Sequence, residues 1–215
     1  MANSYLNRTQ SSATSDKIGT FSAWIKLSSF SALTDAVFSG HTDSSNRIAL
    51  YFADTLRIYG AIGGSQSVYL VTNRVFQDPS AFYHVVVAWD TTQGTDSNRF
   101  KIYVNGSQIT SFSTTSYPSQ NADVYWNKGT TSIVGARFVS SVDNYFDGYM
   151  SHVSFVDGQQ LAPTVFGETD STSGIWKFKS PSGVTWGNNG FHLKFESSGN
   201  LGLDSSGNSN TFTVN

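Results

Sequence analysis

A run of almost continuously apolar residues, Tyr83 to Trp89, constrains the fold of this chain more than any other stretch. Its β-branched residues and the turn residues around it indicate a strand that is buried on both faces. After a polar loop, residues 100–104 alternate apolar and polar side chains and lead into Asn105-Gly106. These two residue types tolerate positive φ, which predicts a type I′ turn and a returning strand over 107–112. Together the two segments predict the middle of a β-sandwich.

Further strand-like segments lie on both sides of this centre. They cover residues 21–27, 36–40, 47–52, 56–59, 67–71, 131–136 and 148–156. Their spacing, and the absence of a sustained helical period, predict an all-β fold of two antiparallel sheets. Charged residues make up 13% of the chain, about half of the usual ~25%, and the Ser, Thr, Asn and Gly that replace them suit strands and turns. A chain of 215 residues without a linker-like tract is expected to be one domain.

The charge and composition argue against several classes of protein. A net charge of −2 without clustered Lys or Arg disfavours nucleic-acid binding, which needs a basic surface. No apolar run approaches the roughly 18 residues of a membrane span, and residues 1–20 lack the apolar core of a signal peptide. Synthesis in a cytosol without export by that route is therefore expected. The chain has no cysteine, which removes disulfides, thiolate zinc sites and cysteine nucleophiles.

Residues for catalysis are scarce, and we expect no enzyme. Glycosidases use two carboxylates that face one groove, but the only glutamates are Glu168 and Glu196, and no strand carries carboxylates at alternate positions. A nucleophile elbow of the Gly-x-Ser-x-Gly type is also missing. Two of the four histidines, His84 and His152, fall inside predicted strands, where a structural role is expected.

Four pieces of sequence resemble the concanavalin A-like, laminin G-type superfamily. In order along the chain they are the strand around Trp24, Tyr83–Val87, Lys101–Gly106 and Phe146–Phe155. The likeness extends over roughly residues 18–168 and implies a concanavalin A-like antiparallel two-sheet β-sandwich of the jelly-roll type. We therefore expect the sandwich over 1–168 and an irregular C-terminal extension over 169–215. Because this extension keeps many large apolar residues, it is expected to pack on the sandwich or on a neighbouring subunit.

The ends of the chain are similar to a module of structural proteins from marine and cyanobacterial tailed phages. The similar segments are 4–9, 167–177, 189–195 and 201–213. This resemblance implies a place in the virion after synthesis in the host cytoplasm, other capsid or tail proteins as partners, and assembly as a homotrimer. In such relatives the module is often part of a longer protein, whereas this chain stops just after the module, which favours a small virion component.

Relatives with a lectin or laminin G fold often hold Ca²⁺ near the rim of a sheet, through Asp, Asn and backbone oxygens. Two loops here offer such oxygens. One covers residues 43–46, and the other contains Asp143, Asn144 and Asp147. We expect the second loop to contribute to any calcium site. The alternative is that both loops are ordinary polar turns, because Asp and Asn side chains bond to the nearby backbone.

Two aromatic segments in polar surroundings are candidate platforms for a sugar ring. The candidate residues are Tyr125, Trp126 and Asn127 in the first segment and Trp186, Asn188 and Asn189 in the second. An exposed aromatic ring with nearby Asn side chains suits carbohydrate binding. The alternative is that both tryptophans cap the ends of the sandwich or lie at a subunit contact, since Trp serves interfaces equally well.

Three functions follow from these observations. The first is a non-catalytic phage virion protein, such as a capsid decoration, a spike or a short fibre component. The second is a carbohydrate-binding tail adhesin that contacts a host surface glycan. The third, a polysaccharide depolymerase, has the least support, because the carboxylates that it requires are missing from the sequence pattern.

Overall fold

The computed structural model describes residues 3–28 and 35–215, which are mainly short strands joined by turns. The strands are β1 (Leu6–Thr9), β2 (Ile18–Leu27), β3 (Ala36–Asp43), β4 (Asn46–Phe52), β5 (Leu56–Ile62), β6 (Ser65–Thr72), β7 (Tyr83–Asp90), β8 (Phe100–Val104), β9 (Ser107–Ile109), β10 (Phe112–Ser116), β11 (Thr131–Val134), β12 (Arg137–Phe138), β13 (Val142–Asp143), β14 (Gly148–Asp157), β15 (Gly167–Thr169), β16 (Trp176–Phe178), β17 (Phe191–Leu193) and β18 (Thr213–Val214). One short helix, α1 (Tyr125–Lys128), and 3₁₀ turns at Asp96–Asn98 and Pro163–Val165 interrupt them. Within the described ranges, no helix has the length and hydropathy needed to cross a membrane.

Two large antiparallel sheets contain most of the strands. The eight-stranded sheet has the order β10-β6-β5-β4-β3-β11-β1-β18, and the six-stranded sheet has the order β17-β14-β2-β7-β8-β9. The hairpins β12–β13 and β15–β16 stand outside them. The prediction of an all-β, two-sheet antiparallel sandwich is therefore confirmed.

The core lies between the two sheets and is built from alternate residues of each strand. On β2, Phe21 and Ile25 are fully buried, and Phe21 stacks on Phe38 of the opposite sheet with ring centroids 4.7 Å apart. On β7, Val87 and Trp89 are buried in the same cluster. The period-two pattern of the sequence thus matches the side chains that face the core.

The outer face of β7 is also buried, as its continuous apolar pattern predicts. His84 and Val86 point away from the main core, and both are fully shielded from solvent. Val86 packs in a second cluster with Val156 and with Phe166, which follows the second 3₁₀ turn. The segment after β14 therefore covers a face of the sheet that would otherwise be in water.

The hairpin between β8 and β9 is built on Asn105 and Gly106, whose φ angles are 49° and 79°. These values are those of a type I′ turn, as predicted. The side chain of Asn105 also accepts a hydrogen bond from the backbone N–H of His84 at 2.8 Å. A Cβ atom on Gly106 would lie only 2.6 Å from the ring of Trp176, so close packing also requires glycine here.

Residues 169–215 contribute strands to both sheets. β17 extends the six-stranded sheet beside β14, and β18 lies beside β1 at the edge of the eight-stranded sheet. Before these strands, Trp176 of β16 stacks on His84 with ring centroids 5.9 Å apart, and its Nε1–H donates to His84 Nδ1 at 2.9 Å. The C-terminal segment therefore contacts the sandwich along its length, through backbone pairing as well as side-chain packing.

Candidate functional site

A cleft of about 800 Å³ opens between strands β1 and β11 and the beginning of β14. Its walls are largely apolar and aromatic, and its polar groups come from three separate parts of the chain. The lining residues are Asn3, Ser4, Tyr5, Leu6, Asp35, Val134, Gly135, Asn144, Tyr145, Phe146, Asp147, Gly148, Tyr149, Met150, Phe195, Leu201 and Val214. A pocket with apolar walls and a few converging polar groups is the usual form of a small-molecule site.

Asp35 is the buried acid of this cleft. Only 4% of its surface is exposed, and its Oδ2 atom has no hydrogen-bond partner. Burial, and secondarily the negative charge of Asp147, raises the pKa of Asp35 to about 6. A buried carboxylate oxygen without a donor is costly. Asp35 is therefore well suited to accept a hydrogen bond from a ligand.

Backbone hydrogen bonds hold the loop of residues 144–147 against the two sheets. The N–H of Ala36 donates to the carbonyl of Asn144 at 3.0 Å, and the N–H of Ser28 donates to the carbonyl of Asp147 at 3.1 Å. Asn144 has a φ of 50°, in the left-handed region that Asn tolerates better than most residues. These bonds bring Asp35, which directly precedes β3, and Asp147, which directly precedes β14, into one cleft.

Aromatic rings form much of the wall. The rings of Tyr5 and Tyr145 lie 6.0 Å apart, and the Tyr145 hydroxyl donates to the carbonyl of Val142 at 3.2 Å. Tyr149 is 62% exposed, and the Nζ of Lys26 lies 5.9 Å from its ring centroid. The cleft therefore combines a fixed pair of tyrosines with an exposed ring that is available for stacking.

The structure only partly assembles the predicted calcium ligands. Asn144 and Asp147 line the cleft, but both carboxylate oxygens of Asp143 accept hydrogen bonds from Arg137, at 2.8 and 3.1 Å. Within the described ranges, no group of three His, Cys, Asp or Glu side chains is arranged to hold a metal. The three predicted residues thus do not form one set of ligands, because the guanidinium of Arg137 already binds the carboxylate of Asp143. Calcium binding stays a prediction.

The prediction that the first aromatic segment forms an exposed sugar platform is wrong. Trp126 is fully buried in the core, where its ring centroid lies 5.2 Å from that of Trp89, and the Asn127 side chain is buried as well. Tyr125 is half-buried and donates its hydroxyl to Asn46 at 3.1 Å. The three residues belong to α1, which lies directly on β3. A Cβ atom on Gly40 would be 2.2 Å from the carbonyl of Tyr125, so glycine permits this approach.

The second predicted platform is divided between surface and interior. Trp186 is half-buried and Asn188 is exposed, and both line a shallow depression. The prediction of an accessible side chain is wrong for Asn189, which is fully buried and exchanges hydrogen bonds with Ser11 at 2.9 Å. The Asn188 side chain donates to the carbonyl of Ser12 at 3.1 Å. The side chains of both asparagines are thus already hydrogen-bonded to the N-terminal segment.

Asn189 belongs to a network centred on Asp157, which the sequence marks only as part of a turn. The Asp157 carboxylate accepts hydrogen bonds from the backbone N–H groups of Thr14, Ser15 and Asn189 and from the side chain of Asn127. The network joins the N-terminal segment, α1, β14 and the C-terminal segment. The buried side chains of Asn127 and Asn189 therefore have a structural role.

A model of the concanavalin A-like lectin/glucanases superfamily matches residues 1–166. The chain belongs to this superfamily. The match agrees with the two-sheet architecture and with the resemblance carried by β2, the β7–β8 pair and β14. A search of curated proteins finds no match.

Several solved structures are similar to this chain in fold. A putative carbohydrate binding protein from Bacteroides ovatus has a TM-score of 0.61 at 15% identity, over 100% of this chain and 56% of the other. A heptameric SAP-like pentraxin from Limulus polyphemus has a TM-score of 0.53 at 19% identity, over 85% and 82% of the two chains. The CBM40 of Ruminococcus gnavus IT-sialidase has a TM-score of 0.50 at 16% identity, over 68% and 78%. At these identities the likeness shows the fold.

The stability of this concanavalin A-like domain is expected to depend on two neutral histidines. Burial lowers the pKa of His84 to about 3, and burial, with the charges of His152 and Lys194, lowers the pKa of His192 to about 4. His84 Nδ1 accepts the indole N–H of Trp176, so its proton lies on Nε2, 2.9 Å from the hydroxyl of Ser22. In the unfolded chain both histidines would bind a proton below about pH 6.5.

We therefore expect the free energy of unfolding to fall as the pH decreases from 7 towards 4. Below about pH 6.5 the unfolded state binds more protons, which costs about 2 kcal/mol per histidine at pH 5. Asp35, whose folded pKa is raised to about 6, acts in the opposite direction and offsets about 1 kcal/mol. Urea unfolding at pH 7 and pH 5 measures the net loss, and His84→Gln should reduce it. Equal midpoints at both pH values would contradict this prediction.

Proposed function

We propose that this domain is a non-catalytic carbohydrate-binding protein whose ligand occupies the cleft around Asp35. The observation that carries the proposal is the buried Oδ2 of Asp35, which has no hydrogen-bond partner and lies in a cleft with exposed Tyr149. A sugar ring offers what these groups lack, since its hydroxyls donate hydrogen bonds and its C–H face stacks on an aromatic ring. The volume of about 800 Å³ falls within the usual ~300–1,000 Å³ of ligand sites.

The comparisons support this class of ligand without identifying it. The Bacteroides ovatus structure is described as a putative carbohydrate binding protein, and the Ruminococcus gnavus structure is a carbohydrate-binding module of a sialidase. Membership of a lectin/glucanase superfamily is consistent with glycan binding. The fold hosts other functions as well, so the proposal depends on the cleft.

Tyr149→Ala is expected to weaken glycan binding about fivefold or more, because it removes the most exposed ring of the cleft. A nucleic-acid base stacked on an aromatic side chain contributes on the order of 1–3 kcal/mol by alanine substitution, and we expect a sugar face stacked on Tyr149 to reach at least the low end of this range. Binding would be found on a glycan array and measured by calorimetry. Phe82→Ala is the matched control, since Phe82 is an exposed aromatic residue that is not part of the lining. An equal effect of both variants, or no effect of Tyr149→Ala, would overturn the assignment of the cleft.

The absence of catalysis is part of this proposal. We expect no new reducing ends when the protein is incubated with a bound polysaccharide. The domain is a depolymerase if the wild-type protein produces reducing ends and Asp35→Asn does not. Asp35 and Asp147 then become candidates for its two carboxylates.

We propose further that the domain is a component of a phage virion: a capsid decoration, a spike, or a short fibre or tail adhesin. The support is the resemblance of the terminal segments to phage structural proteins. In the fold these segments interlock: β1 pairs with β18, and the side chains of Arg8 and Asn210 are hydrogen-bonded. Immunogold labelling of particles tests the location. Label over the head favours a decoration, label at the tail tip favours an adhesin, and unlabelled particles would reject both.

Two features of this proposal need separate measurements. Sedimentation equilibrium tests the homotrimer, and a monomeric mass would reject it.

The melting temperature with millimolar calcium or with EDTA tests the calcium prediction. We expect calcium to raise the melting temperature if Asn144 and Asp147 bind it, because a ligand that binds only the folded state stabilises that state. Identical melting curves would exclude it.

A further inference from the structure

We infer that the cleft prefers a ligand that carries an ammonium group, and that its glycan is an amino sugar with a free amine. This inference rests on the proposed carbohydrate binding and adds the chemical class of the sugar. Its starting point is Asp35, which is 4% exposed and whose Oδ2 has no hydrogen-bond partner. No lysine, arginine or histidine of the described residues forms an ion pair with it.

The charged side chains of the described lining are all acidic. The lining contains two carboxylates, Asp35 and Asp147, and no basic side chain. Asp147 lies close enough for its charge to act on Asp35. A hydroxyl group would give Asp35 a hydrogen bond but leave the negative charge of Asp35 uncompensated. An ammonium group would supply the hydrogen bond and the opposite charge together, and such charge-assisted bonds are roughly twice as strong as neutral ones.

The aromatic wall favours the same ligand. Faces of aromatic rings attract cations through the ring quadrupole. Tyr149 at the cleft already has an ammonium beside it, because the Nζ of Lys26 lies 5.9 Å from its ring centroid. This lysine is not part of the lining. The rings of Tyr5 and Tyr145 add further aromatic surface within the cleft.

An organic ammonium suits these walls better than a metal ion does. Calcium requires six to eight oxygen ligands. Tyrosine rings and the side chains of Phe146, Met150 and Phe195 supply none. The two carboxylates and the apolar walls instead match a molecule with a charged end and a weakly polar body. A hexosamine ring has this form, with one amine and an apolar C–H face.

The test compares two short oligosaccharides with the same sugar backbone: oligomers of glucosamine, which carry ammonium groups, and oligomers of N-acetylglucosamine, in which each amine is a neutral acetamide. Calorimetry is performed with EDTA to remove divalent cations. We expect the charged oligomer to bind the wild-type protein at least tenfold more tightly than the acetylated one. Asp35→Asn should abolish this preference, because it removes the negative charge that the ammonium group requires. Asp78→Asn, at an exposed turn outside the cleft, is the control and should behave as wild type.

Asp35→Asn is expected to fold, because it replaces a buried carboxylate, whose Oδ2 has no hydrogen-bond partner, with a neutral group of the same size. Its melting temperature should equal or exceed that of the wild-type protein. Equal affinity of the wild-type protein for both oligomers would overturn the inference and leave the proposed glycan binding intact. A preference for the charged oligomer that survives in Asp35→Asn would also overturn it. If neither these oligomers nor any glycan on the array binds, the proposed function fails as well.

Discussion

Asp157→Ala is expected to lower the free energy of unfolding by about 4 kcal/mol or more. The Asp157 carboxylate is 1% exposed and accepts hydrogen bonds from the backbone of Thr14 at 2.7 Å, Ser15 at 3.0 Å and Asn189 at 3.1 Å, and from the Asn127 side chain. Alanine would leave four donors without this acceptor. Each buried donor without a partner costs about 1–3 kcal/mol. The bonds from Asn189 and Asn127 are the buried ones, and the middle of that range for these two donors already gives this total.

The effect should be cooperative, because the four donors come from three separate parts of the chain. Losing the acceptor would loosen the N-terminal segment, α1 and the loop before β17 at the same time. Urea unfolding followed by tryptophan fluorescence measures the change. Asp78→Ala is the matched control: its carboxylate also accepts hydrogen bonds, from the backbone and hydroxyl of Ser80, but on an exposed turn. We expect the control to cost less than about 1 kcal/mol, and similar losses in the two variants would contradict the role of Asp157.

Trp126→Ala is expected to cost about 3–5 kcal/mol, the usual range for removing a large buried aromatic side chain. The ring is fully buried, with centroids 5.2 Å from Trp89, 6.0 Å from Phe38 and 6.1 Å from Phe100. Truncation would leave a cavity between the two sheets. Trp186→Ala should cost less than half as much, since Trp186 is half-buried outside the main core.

Trp126→Phe separates the loss of volume from the loss of polar groups. The indole N–H of Trp126 has no hydrogen-bond partner, so its removal should partly offset the smaller ring, and the expected cost falls to about 1–2 kcal/mol. Urea unfolding measures all three variants. In calorimetry, Trp126→Phe should bind glycans like the wild-type protein. A loss of glycan binding with unchanged stability would show that Trp126 contacts the ligand after all.

Local sequence was a good guide to the strands and turns. The alternation from Phe21 to Leu27, the apolar run of β7 and the Asn105-Gly106 turn each depend on neighbours within a few residues, and each appears where predicted. The short helix at Tyr125–Lys128 was not predicted, since four residues are too few to show a helical period. Its position depends on Gly40, which is remote in sequence.

The candidate site could be predicted only in part. Asn144 and Asp147 do line the cleft, but Asp35 was missed, because an acid just before a strand looks like any other turn residue. Asp143 was assigned to calcium although Arg137 already binds it. In each case the decisive partner is brought by a different strand or loop, and no spacing in the sequence records that proximity.

By itself, the sequence determined the all-β class, the two-sheet architecture and the superfamily resemblance, because hydrophobic period and turn chemistry act over short distances along the chain. Only the tertiary structure decided which polar and aromatic residues face a ligand. Trp126 and Asn189 have surroundings as polar in sequence as those of Tyr149, yet the first two are buried and Tyr149 is exposed. Exposure depends on which remote segments pack over a residue. That packing joins the acid of Asp35 and the ring of Tyr149 in one cleft, and it directs the predicted asparagines into the Asp157 network.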